Sequence, residues 1–554
     1  MHDHNGGKKW CLKPGYYSRW AALAASISVN AFNLYSYAFG LFSDALKDDL
    51  GFSQVTVDVI ASVGELGLWS SFLVGLLLER LSPRKVYFLG SVTTAVGLGY
   101  VSLAIGEVIS SDAASVATMY FLANFGTACY QQTAASVAVR NFPAGDRGKV
   151  SGMIKSVFGL SSAVLSVSYY GLFGGENVER FLLFLCVGVP VLGTISSIPL
   201  NLVPEKHISY ALEKAQGVSP RMSPFYVWFT VLVLFLMAAA AVAFMPFSLP
   251  VPWTGILLIA LVLLVSAIPV FYGRVFIRDA MLAFSMEPFN GGGSEEGREG
   301  IEGVRERSDV CGITAEEENF GGELVPLLGS RNDVGGGNGL EIENRTWKQC
   351  LVDTRFWVLY VSFLCGAGSG LVVINNISSL AQSLEMESSS FLVTALGIAN
   401  ALGRLSAGWV SDRIVRAGLP RSVLFAGILL LTSGVDFLLA AGTTSLFYTL
   451  CVATGLCYGA MFSLVLALTG DLFGVRHIGT NYGLLDLGPA AGSFIFATGV
   501  MSYFYDKAEV DGECIGQECF AGTFLCTAIA CLVASFLVFV TLVRPGLKKR
   551  SLQA

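Results

Sequence analysis

The chain has 554 residues, of which 53% are hydrophobic and only 14% are charged, and its mean hydropathy is +0.63. Because a soluble chain of this length carries charge on about a quarter of its residues, this composition excludes a soluble protein and indicates a polytopic membrane protein. The formal net charge of −6 excludes nucleic acid as the main partner, since binding to phosphates requires a basic surface.

Fourteen segments are apolar enough over about 20 residues to cross a bilayer as helices. The first eight lie at about 20–42, 56–78, 86–106, 116–139, 150–173, 181–203, 225–247 and 253–273. After a polar gap, six more lie at about 356–380, 390–410, 422–442, 446–470, 480–504 and 521–543. The sequence therefore predicts an all-α polytopic membrane fold with two six-helix halves and two extra middle helices.

The basic residues orient these spans. With both termini in the cytosol, 30 of the 35 Lys and Arg residues fall in cytosolic segments and 3 fall in outer loops. Positive charge collects on the cytosolic side, so this split supports an even number of spans. The expected domains are a cytosolic segment at 1–19, an N-terminal half at 20–205, two extra helices at 206–275, a linker at 276–350, a C-terminal half at 351–545 and a cytosolic tail at 546–554.

The linker at 276–350 is rich in glycine and acids, with GGGSEEGREG and GGGNG tracts that predict disorder. It contains Glu323 followed by Leu327 and Leu328, which resembles the acidic dileucine signal that clathrin adaptors bind. Such a signal would direct the protein to an endolysosomal or vacuolar membrane. A chance pair of leucines in an acidic loop is the alternative. The expected location is therefore either the plasma membrane or an endolysosomal or vacuolar membrane, with both termini in the cytosol.

Two cysteines lie in the last outer loop, EVDGECIGQECF. Because this loop faces an oxidising compartment, we expect Cys514 and Cys519 to form a disulfide. The loop has too few ligands for zinc, and we expect no metal site.

The two six-helix halves contain matching motifs. After the second span of each half the chain has a Gly-x-x-x-(Asp/Glu)-Arg loop, and the two loops are displaced by 333 residues. These loops contain Gly75, Glu79 and Arg80 in the first half and Gly408, Asp412 and Arg413 in the second. A second match, displaced by 331, pairs Gly148, Gly152 and Lys155 with Gly479, Gly483 and Asp486. Two matches at equivalent places indicate two parallel repeats.

The paired loops resemble the signature loop of the major facilitator superfamily. Within it, five stretches resemble the plant nodulin-like branch, including the Nuclear Fusion Defective type: GELG at 64–67, RNFPAGDRGKVSGMIKSVFGLS at 140–161, FLCGAGSGLVVINN at 363–376, GRLSAGWVSDR at 403–413 and FYDKAEVDGECIGQECF at 504–520. The chain departs from the branch at Glu65, where Asp is usual, and at Ser82, where Gly is usual. The resemblance covers both halves and implies a solute transporter that works by alternating access.

Ionisable groups within membrane spans are costly and are therefore functional candidates. Asp58 and Glu65 lie seven residues apart on one face of the second span, with Glu65 close to mid-depth. Glu65 is the leading candidate for a proton-coupling carboxylate, and Asp58 is the second. A structural carboxylate that is hydrogen-bonded between helices is the alternative for Glu65.

Lys155 and Asp486 carry opposite charges at equivalent positions of the repeat. The resemblance implies that the fifth helix of each half packs on the second helix of the other. We therefore expect Lys155 to pair with Asp412, and Asp486 to pair with Arg80 or Arg84, as gates on the cytosolic side. A permanent strut is the alternative to a gate.

Several other polar residues within spans are candidates for binding a substrate. Arg404 either holds a substrate carboxylate or reaches the cytosol and braces the signature loop. The other candidates are Tyr35, Asn124, Gln131, Gln132, Asn375 and Asn376. Hydrogen bonds between helices, or aromatic packing for Tyr35, are the alternative roles.

No catalytic motif is visible and the four histidines lie outside the spans, so we expect no enzyme and no cofactor. The predicted function is secondary active transport of a small organic anion, such as a monocarboxylate, or of an amino acid, coupled to protons. Two alternatives are a non-transporting sensor or scaffold and an uncoupled uniporter.

Overall fold

The computed structural model describes both six-helix halves. The described residues are 19–202 and 344–551, apart from 34, 36–38, 40, 174–176, 385–388, 443–445 and 509–513, together with 222, 226, 227, 229, 230 and 233. The predicted span at 253–273, most of the one at 225–247, and the dileucine motif of Glu323, Leu327 and Leu328 lie outside them. The described residues form helices and turns without a strand, which confirms the all-α class.

The described residues of the N-terminal half form eight α-helices. They are α1 (Arg19–Asn30), α2 (Ser43–Asp48), α3 (Gln54–Leu68), α4 (Ser71–Arg80), α5 (Pro83–Ile105), α6 (Ala113–Asn141), α7 (Arg147–Phe173) and α8 (Val178–Ser197). The second predicted span is divided, because the helix breaks at Trp69 and Ser70 between α3 and α4. The helical part of the first predicted span ends at Asn30, whose side-chain amide donates to the Ser26 carbonyl oxygen.

The C-terminal half has eleven numbered helices and two π-helical stretches. They are α9 (Trp347–Val352), α10 (Thr354–Asn375), α11 (Ile377–Ser383), α12 (Ser389–Arg416), α13 (Ser422–Ala440), α14 (Phe447–Phe473), α15 (Ile478–Leu485), α16 (Leu487–Gly492), π-helical Ser493–Val500, α17 (Met501–Ala508), α18 (Glu518–Val538), π-helical Phe539–Val543 and α19 (Arg544–Ser551).

Among the described residues, eight helical segments are long and apolar enough to cross a bilayer. Three further helices, α6, α7 and α12, have 27 to 29 residues and occupy predicted spans, but they contain more small and polar side chains. Long helices with polar residues are stable in a membrane when other helices cover them, and most of α6 is buried. The total of fourteen spans stays a prediction.

Contacts between the two halves, called cross-half contacts below, join equivalent helices. Helix α7 of the first half packs on α12 of the second, and α15 of the second half packs on α4 of the first. This arrangement agrees with the expectation that the fifth helix of each half packs on the second helix of the other. Elsewhere, large apolar side chains such as Val55, Leu66 and Phe536 are exposed, as expected for surfaces that face lipid.

A short segment, residues 344–353, leads into the C-terminal half and is called the strap. Its residues 344–350, which were expected to belong to the linker, are part of the folded structure. The Arg345 N–H donates to the Phe473 carbonyl oxygen at 2.9 Å, and Asn481 Nδ2 donates to the Arg345 carbonyl oxygen at 2.8 Å. The Trp347 ring packs on Phe72 of α4, with ring centroids 5.6 Å apart. The strap therefore contacts both halves.

Burial opposes the ionisation of Asp353 at the end of the strap, but hydrogen bonds and charge from Arg355 and Arg345 outweigh it. They hold the pKa of this carboxyl below its usual value. The ionised Asp353 binds Arg345 at 2.6 Å and Arg355 at 2.7 Å, which ties the strap to the start of α10.

Candidate functional site

The two cross-half contacts depend on glycines at the equivalent motif positions. A Cβ atom on Gly75 would lie 2.5 Å from the Gly479 carbonyl oxygen, and one on Gly148 would lie 2.5 Å from the Gly408 carbonyl oxygen. Both distances are too short for a real side chain, so only glycine allows these helices to approach so closely. Both contacts lie at the ends of the helices that carry the signature loops. This side of the molecule, at residues 75–84, 140–149, 408–421 and 471–479, is called the signature-loop face below.

Asp412 is the centre of a charged network at this face. Its two carboxylate oxygens accept the backbone N–H groups of Gly148 and Lys149, both at 2.9 Å, and the Arg421 guanidinium at 2.5 Å. The Lys149 ammonium lies 3.7 Å away. Arg421 also contacts Asp471 and donates to the Ala144 carbonyl oxygen at 2.7 Å. The network therefore joins the start of α7 in one half to α12, α13 and α14 in the other.

The equivalent acid of the first half, Glu79, makes a smaller contact. It accepts a hydrogen bond from the Thr480 hydroxyl and lies 3.1 Å from His477 Nδ1, across the other cross-half contact. Arg80 is exposed. Arg413 is exposed as well, and its guanidinium carbon lies 4.0 Å from the centroid of the Trp409 ring. The two signature loops thus share a sequence pattern, but the acid of the second loop has more charged partners than the acid of the first.

The prediction that Asp412 pairs with Lys155 was wrong. Asp412 binds Arg421 and Lys149. Lys155 lies about 10 Å further along α7 than Gly148, which contacts Asp412, at a rise of about 1.5 Å per residue. The residue of α12 at the depth of Lys155 is Arg404, whose guanidinium NH1 donates to the Lys155 carbonyl oxygen at 2.6 Å.

The prediction that Asp486 pairs with Arg80 or Arg84 was also wrong, again because the two groups lie at different depths along the packed helices. Asp486 accepts hydrogen bonds from the Ser71 hydroxyl at 2.9 Å and from the Tyr482 hydroxyl at 3.0 Å. Arg80 and Arg84 are at least nine residues further along the chain than Ser71, so they lie closer to the signature-loop face.

Lys155, Ser71, Tyr482, Asp486 and Arg404 together form a buried group between the halves, called the central cluster below. The Lys155 ammonium lies 4.8 Å from the centroid of the Tyr482 ring, within the electrostatic influence of Asp486 and Arg404. Among the described residues, its Nζ atom has no hydrogen-bond acceptor. A buried ammonium without an acceptor is costly and is a natural binding point for an anionic group.

Arg404 does not reach the cytosol to brace the signature loop, which was one of its two expected roles, and its role in holding a substrate carboxylate stays a prediction. Besides Lys155, its guanidinium contacts the Asn400 side-chain oxygen at 2.9 Å and lies 4.9 Å from the Phe462 ring centroid. The side chain is only 2% exposed. Arg404 therefore joins α12 to α7 in the interior, and it does not extend to the surface.

A second polar group lies in the N-terminal half around Tyr120. The Tyr120 hydroxyl donates to the Tyr35 carbonyl oxygen at 3.3 Å, and Asn124 Nδ2 donates to the Tyr120 carbonyl oxygen at 3.0 Å. Glu65, on the facing helix α3, is half-buried and accepts Trp69 Nε1 at 2.9 Å. Three predicted residues, Tyr35, Glu65 and Asn124, therefore lie close together, while Asp58 is exposed.

The remaining predicted amides divide between two locations. Gln132 donates to the Gly479 carbonyl oxygen and so joins α6 to α15 across the halves, and Gln131 beside it is buried. Asn375 is exposed and donates to the Ser493 hydroxyl at 3.2 Å, and Asn376 donates to the Val372 carbonyl oxygen at 3.0 Å. The first pair belongs to the cross-half region, and the second pair stays within the C-terminal half.

One carboxylate within a predicted span was not predicted as a site residue. Asp436 on α13 is fully buried and accepts the Ser369 hydroxyl of α10 at 2.6 Å. The signal was present, because Asp436 is a single carboxylate within the apolar segment 422–442. The expected disulfide, in contrast, is confirmed, since Cys514 and Cys519 are bonded.

This arrangement of two matched six-helix halves with crossed α4–α15 and α7–α12 contacts is the fold of the major facilitator superfamily. The solved structure of the proton:xylose symporter XylE has a TM-score of 0.54 over 94% of this chain and 95% of its own, at 10% identity. That likeness concerns the fold alone.

The family profile described as Nodulin-like matches residues 19–272, and the profile described as NFD4, C-terminal domain, matches residues 339–549. The chain belongs to the nodulin-like family of the major facilitator superfamily. It is 26% identical to Protein NUCLEAR FUSION DEFECTIVE 4 of Arabidopsis thaliana over 95% of this chain and 89% of the relative. It is 25% identical to Probable transporter mch1 of Emericella nidulans, over 87% and 79% of the two chains. The protein is an integral membrane transporter for small molecules, and the relative from Emericella nidulans is named as a probable transporter.

Proposed function

We propose that the protein is a proton-coupled transporter that carries a small organic anion, such as a monocarboxylate, or an amino acid by alternating access. The observation that carries this proposal is the Lys155 ammonium, which is buried between the halves without a hydrogen-bond acceptor among the described residues. A carboxylate is the complementary group for such an ammonium. The carboxylate of Asp486 does not fill this role, because the Lys155 ammonium forms no hydrogen bond with it; the Asp486 oxygens accept instead from the Ser71 and Tyr482 hydroxyls.

The cross-half contacts support alternating access. Both matched glycine contacts and the Asp412 network lie at the signature-loop face, which is the cytosolic face in our proposal, with both termini on the same side. When the halves rock apart there, α7 leaves α12 and α15 leaves α4, and the central cluster becomes accessible. The cluster is then open to the cytosol in one state and closed from the cytosol in the other.

Glu65 supports proton coupling. Its only hydrogen-bond partner among the described residues is Trp69, four residues along the same chain segment, so proton binding and release at Glu65 would break no contact between helices. Together with Tyr35 and Asn124, it lies in the half that also contributes Lys155 to the central cluster.

The experiment is uptake of labelled monocarboxylates and amino acids into proteoliposomes with and without an inward proton gradient. We compare the wild type with Lys155→Gln, Glu65→Gln and the control Lys507→Gln, which removes an exposed lysine of α17. We expect Lys155→Gln to lower uptake at least about tenfold, because a lost charge-assisted hydrogen bond is worth about 1.5–3 kcal/mol. Glu65→Gln should abolish the response to the gradient, and Lys507→Gln should behave like the wild type.

Two results would contradict the proposal. Uptake by Lys155→Gln at the wild-type rate would remove Lys155 from cargo binding. Saturable binding of a carboxylate by the wild type without flux under any gradient would identify a sensor in place of a transporter.

A further inference from the structure

Asp436 is a fully buried carboxylate that the proposed function does not use. It projects from α13 into the interior of the C-terminal half, where Ser369 of α10 donates to one of its oxygens at 2.6 Å and Thr527 of α18 lies beside it. The titratable groups that face it are the thiols of Cys457 on α14 and Cys531 on α18.

No counter-ion for this carboxylate lies in the described part of the chain. Among the described residues, no Lys, Arg or His forms an ion pair with Asp436, and its second oxygen has no hydrogen bond of good geometry. An ionised carboxylate without a cation costs several kcal/mol in the interior of a membrane protein. A neutral carboxylic acid has no such cost, because its single O–H group needs only one acceptor.

The depth of Asp436 indicates the side from which a proton would arrive. Helix α13 begins at Ser422 near the signature-loop face and ends at Ala440, four residues beyond Asp436. At a rise of about 1.5 Å per residue, Asp436 lies about 6 Å from the opposite end of the helix. It is therefore near the face that is not closed by the glycine contacts.

Ser369 connects Asp436 to a closely packed group of helices. It belongs to the GAGSG stretch of α10, in which Gly368 packs directly against Gly492 of α16 and Gly366 against Met461 of α14. Proton release from Asp436 would turn its bond to Ser369 into a charge-assisted bond and would draw water toward the carboxylate. Either change would alter how α10 packs on α14 and α16.

We propose that Asp436 is a proton-binding site of the transporter, protonated from the face opposite the signature loops while that loop face is closed. The cycle is balanced: the carboxylate takes up one proton from the water on that face to become a neutral acid, and it returns the proton to water after the halves have rocked. This inference rests on the proton coupling proposed above. It adds Asp436 as a second proton-binding residue besides Glu65.

The first test does not depend on cargo. Infrared difference spectroscopy of the purified full-length protein in nanodiscs follows the C=O stretching band of a protonated carboxylic acid as the pH is changed. We expect a band that titrates in the wild type and in Glu65→Gln, is lost in Asp436→Asn, and has a displaced pH midpoint in Ser369→Ala. A band that persists unchanged in both Asp436→Asn and Ser369→Ala would overturn the proposal, and Ser369→Ala keeps the test valid if Asp436→Asn does not fold.

The second test separates a coupling site from a structural acid. The side chain of Asn mimics a protonated Asp, so a merely structural role would leave transport by Asp436→Asn unchanged. We expect this variant to lose at least about tenfold of its gradient-driven accumulation while it retains cargo exchange at equal pH on both sides. Accumulation at the wild-type level would overturn the proposal. If the wild type shows no gradient-driven accumulation but does show the titrating infrared band, proton-coupled transport is refuted, whereas proton binding at Asp436 is not.

Discussion

At the scale of single residues, the repeat is symmetric in its backbone and asymmetric in its charge. Lys155 in the first half corresponds to Asp486 in the second, and Arg404 corresponds to Ser71, by the same offsets that relate the glycines. One cross-half contact therefore contains two cations, and the other contains an acid with a hydroxyl. An interface of this kind favours an anion on one side only, which a perfectly symmetric pair of halves could not do.

Asp412→Asn tests the charged network at the signature-loop face. The substitution replaces an acceptor of the Arg421 guanidinium and of two backbone N–H groups by a neutral amide, which costs about 2–3 kcal/mol in the closed state. The open population should rise about 30- to 150-fold. The measurement is the rate of maleimide labelling of a cysteine placed at Ser136, a buried residue of α6 beside Gly479.

The control for that measurement is Asp506→Asn, which neutralises an exposed acid of α17. Equal labelling rates for Asp412→Asn and the control would show that the Asp412 network does not hold this face closed.

Which charged residues would lie between the halves could largely be predicted from the sequence, whereas their partners could not. The spacing of the motifs identified Lys155, Asp412 and Asp486, and all three are buried between the halves. The pairing depends on how far two helices slide along each other, and a slide of two turns moves Lys155 from Asp412 to Arg404 without any change in the periodicity. Asp436 was overlooked because it belongs to no motif.

At the scale of helices, the cross-half contacts are backbone contacts. Gly483 of α15 is so close to α4 that a Cβ atom would lie 2.6 Å from the Ser71 carbonyl oxygen, and its equivalent Gly152 would place one 2.7 Å from the Arg404 carbonyl oxygen. A backbone atom cannot rotate away as a side chain can, so any larger residue separates the two helices.

Gly483→Ala tests this contact. The added methyl group should force α15 away from α4 and destabilise the closed state by about 1–3 kcal/mol, which lowers the rate of transport and increases labelling at Ser136→Cys. Gly427→Ala is the matched control, because a Cβ atom at Gly427 of α13 would meet nothing within 4 Å. If both variants transport and label at the same rate, close helix approach is unimportant for closure.

The positions of the helices were more predictable than their ends and breaks. Apolar length located the spans, because a bilayer imposes that length on every helix that crosses it. It could not reveal the break at Trp69 and Ser70 or the π-helical turns at Ser493–Val500, since these depend on local hydrogen bonds and not on composition.

At the scale of the whole molecule, the described cross-half helix contacts gather at one face. The repeat predicted two equivalent halves, and the structure confirms their crossed packing. The sequence could not indicate which face is closed, because the same residues must allow both the closed and the open arrangement.

A reversible cross-link tests whether this closure must open during transport. Arg147 of α7 and Asp471 of α14 lie 3.1 Å apart across the halves, and both are partly exposed. We expect the double variant Arg147→Cys, Asp471→Cys to transport until a bifunctional thiol reagent joins the two cysteines, then to stop, and to recover when a reductant releases the link. Undiminished transport by the cross-linked protein would rule out rocking at this face.

The strap has a consequence for communication between the transporter and other proteins. Residues 344–353 connect the acidic segment that precedes them to α15 through Asn481 and to α4 through Trp347 and Phe72. If opening separates Trp347 from Phe72, a protein that holds the acidic segment in one arrangement changes the opening equilibrium. Linkage then requires the reverse by the same factor, so each opening changes how tightly that protein is held. The transporter would thereby report its own activity to whatever binds it.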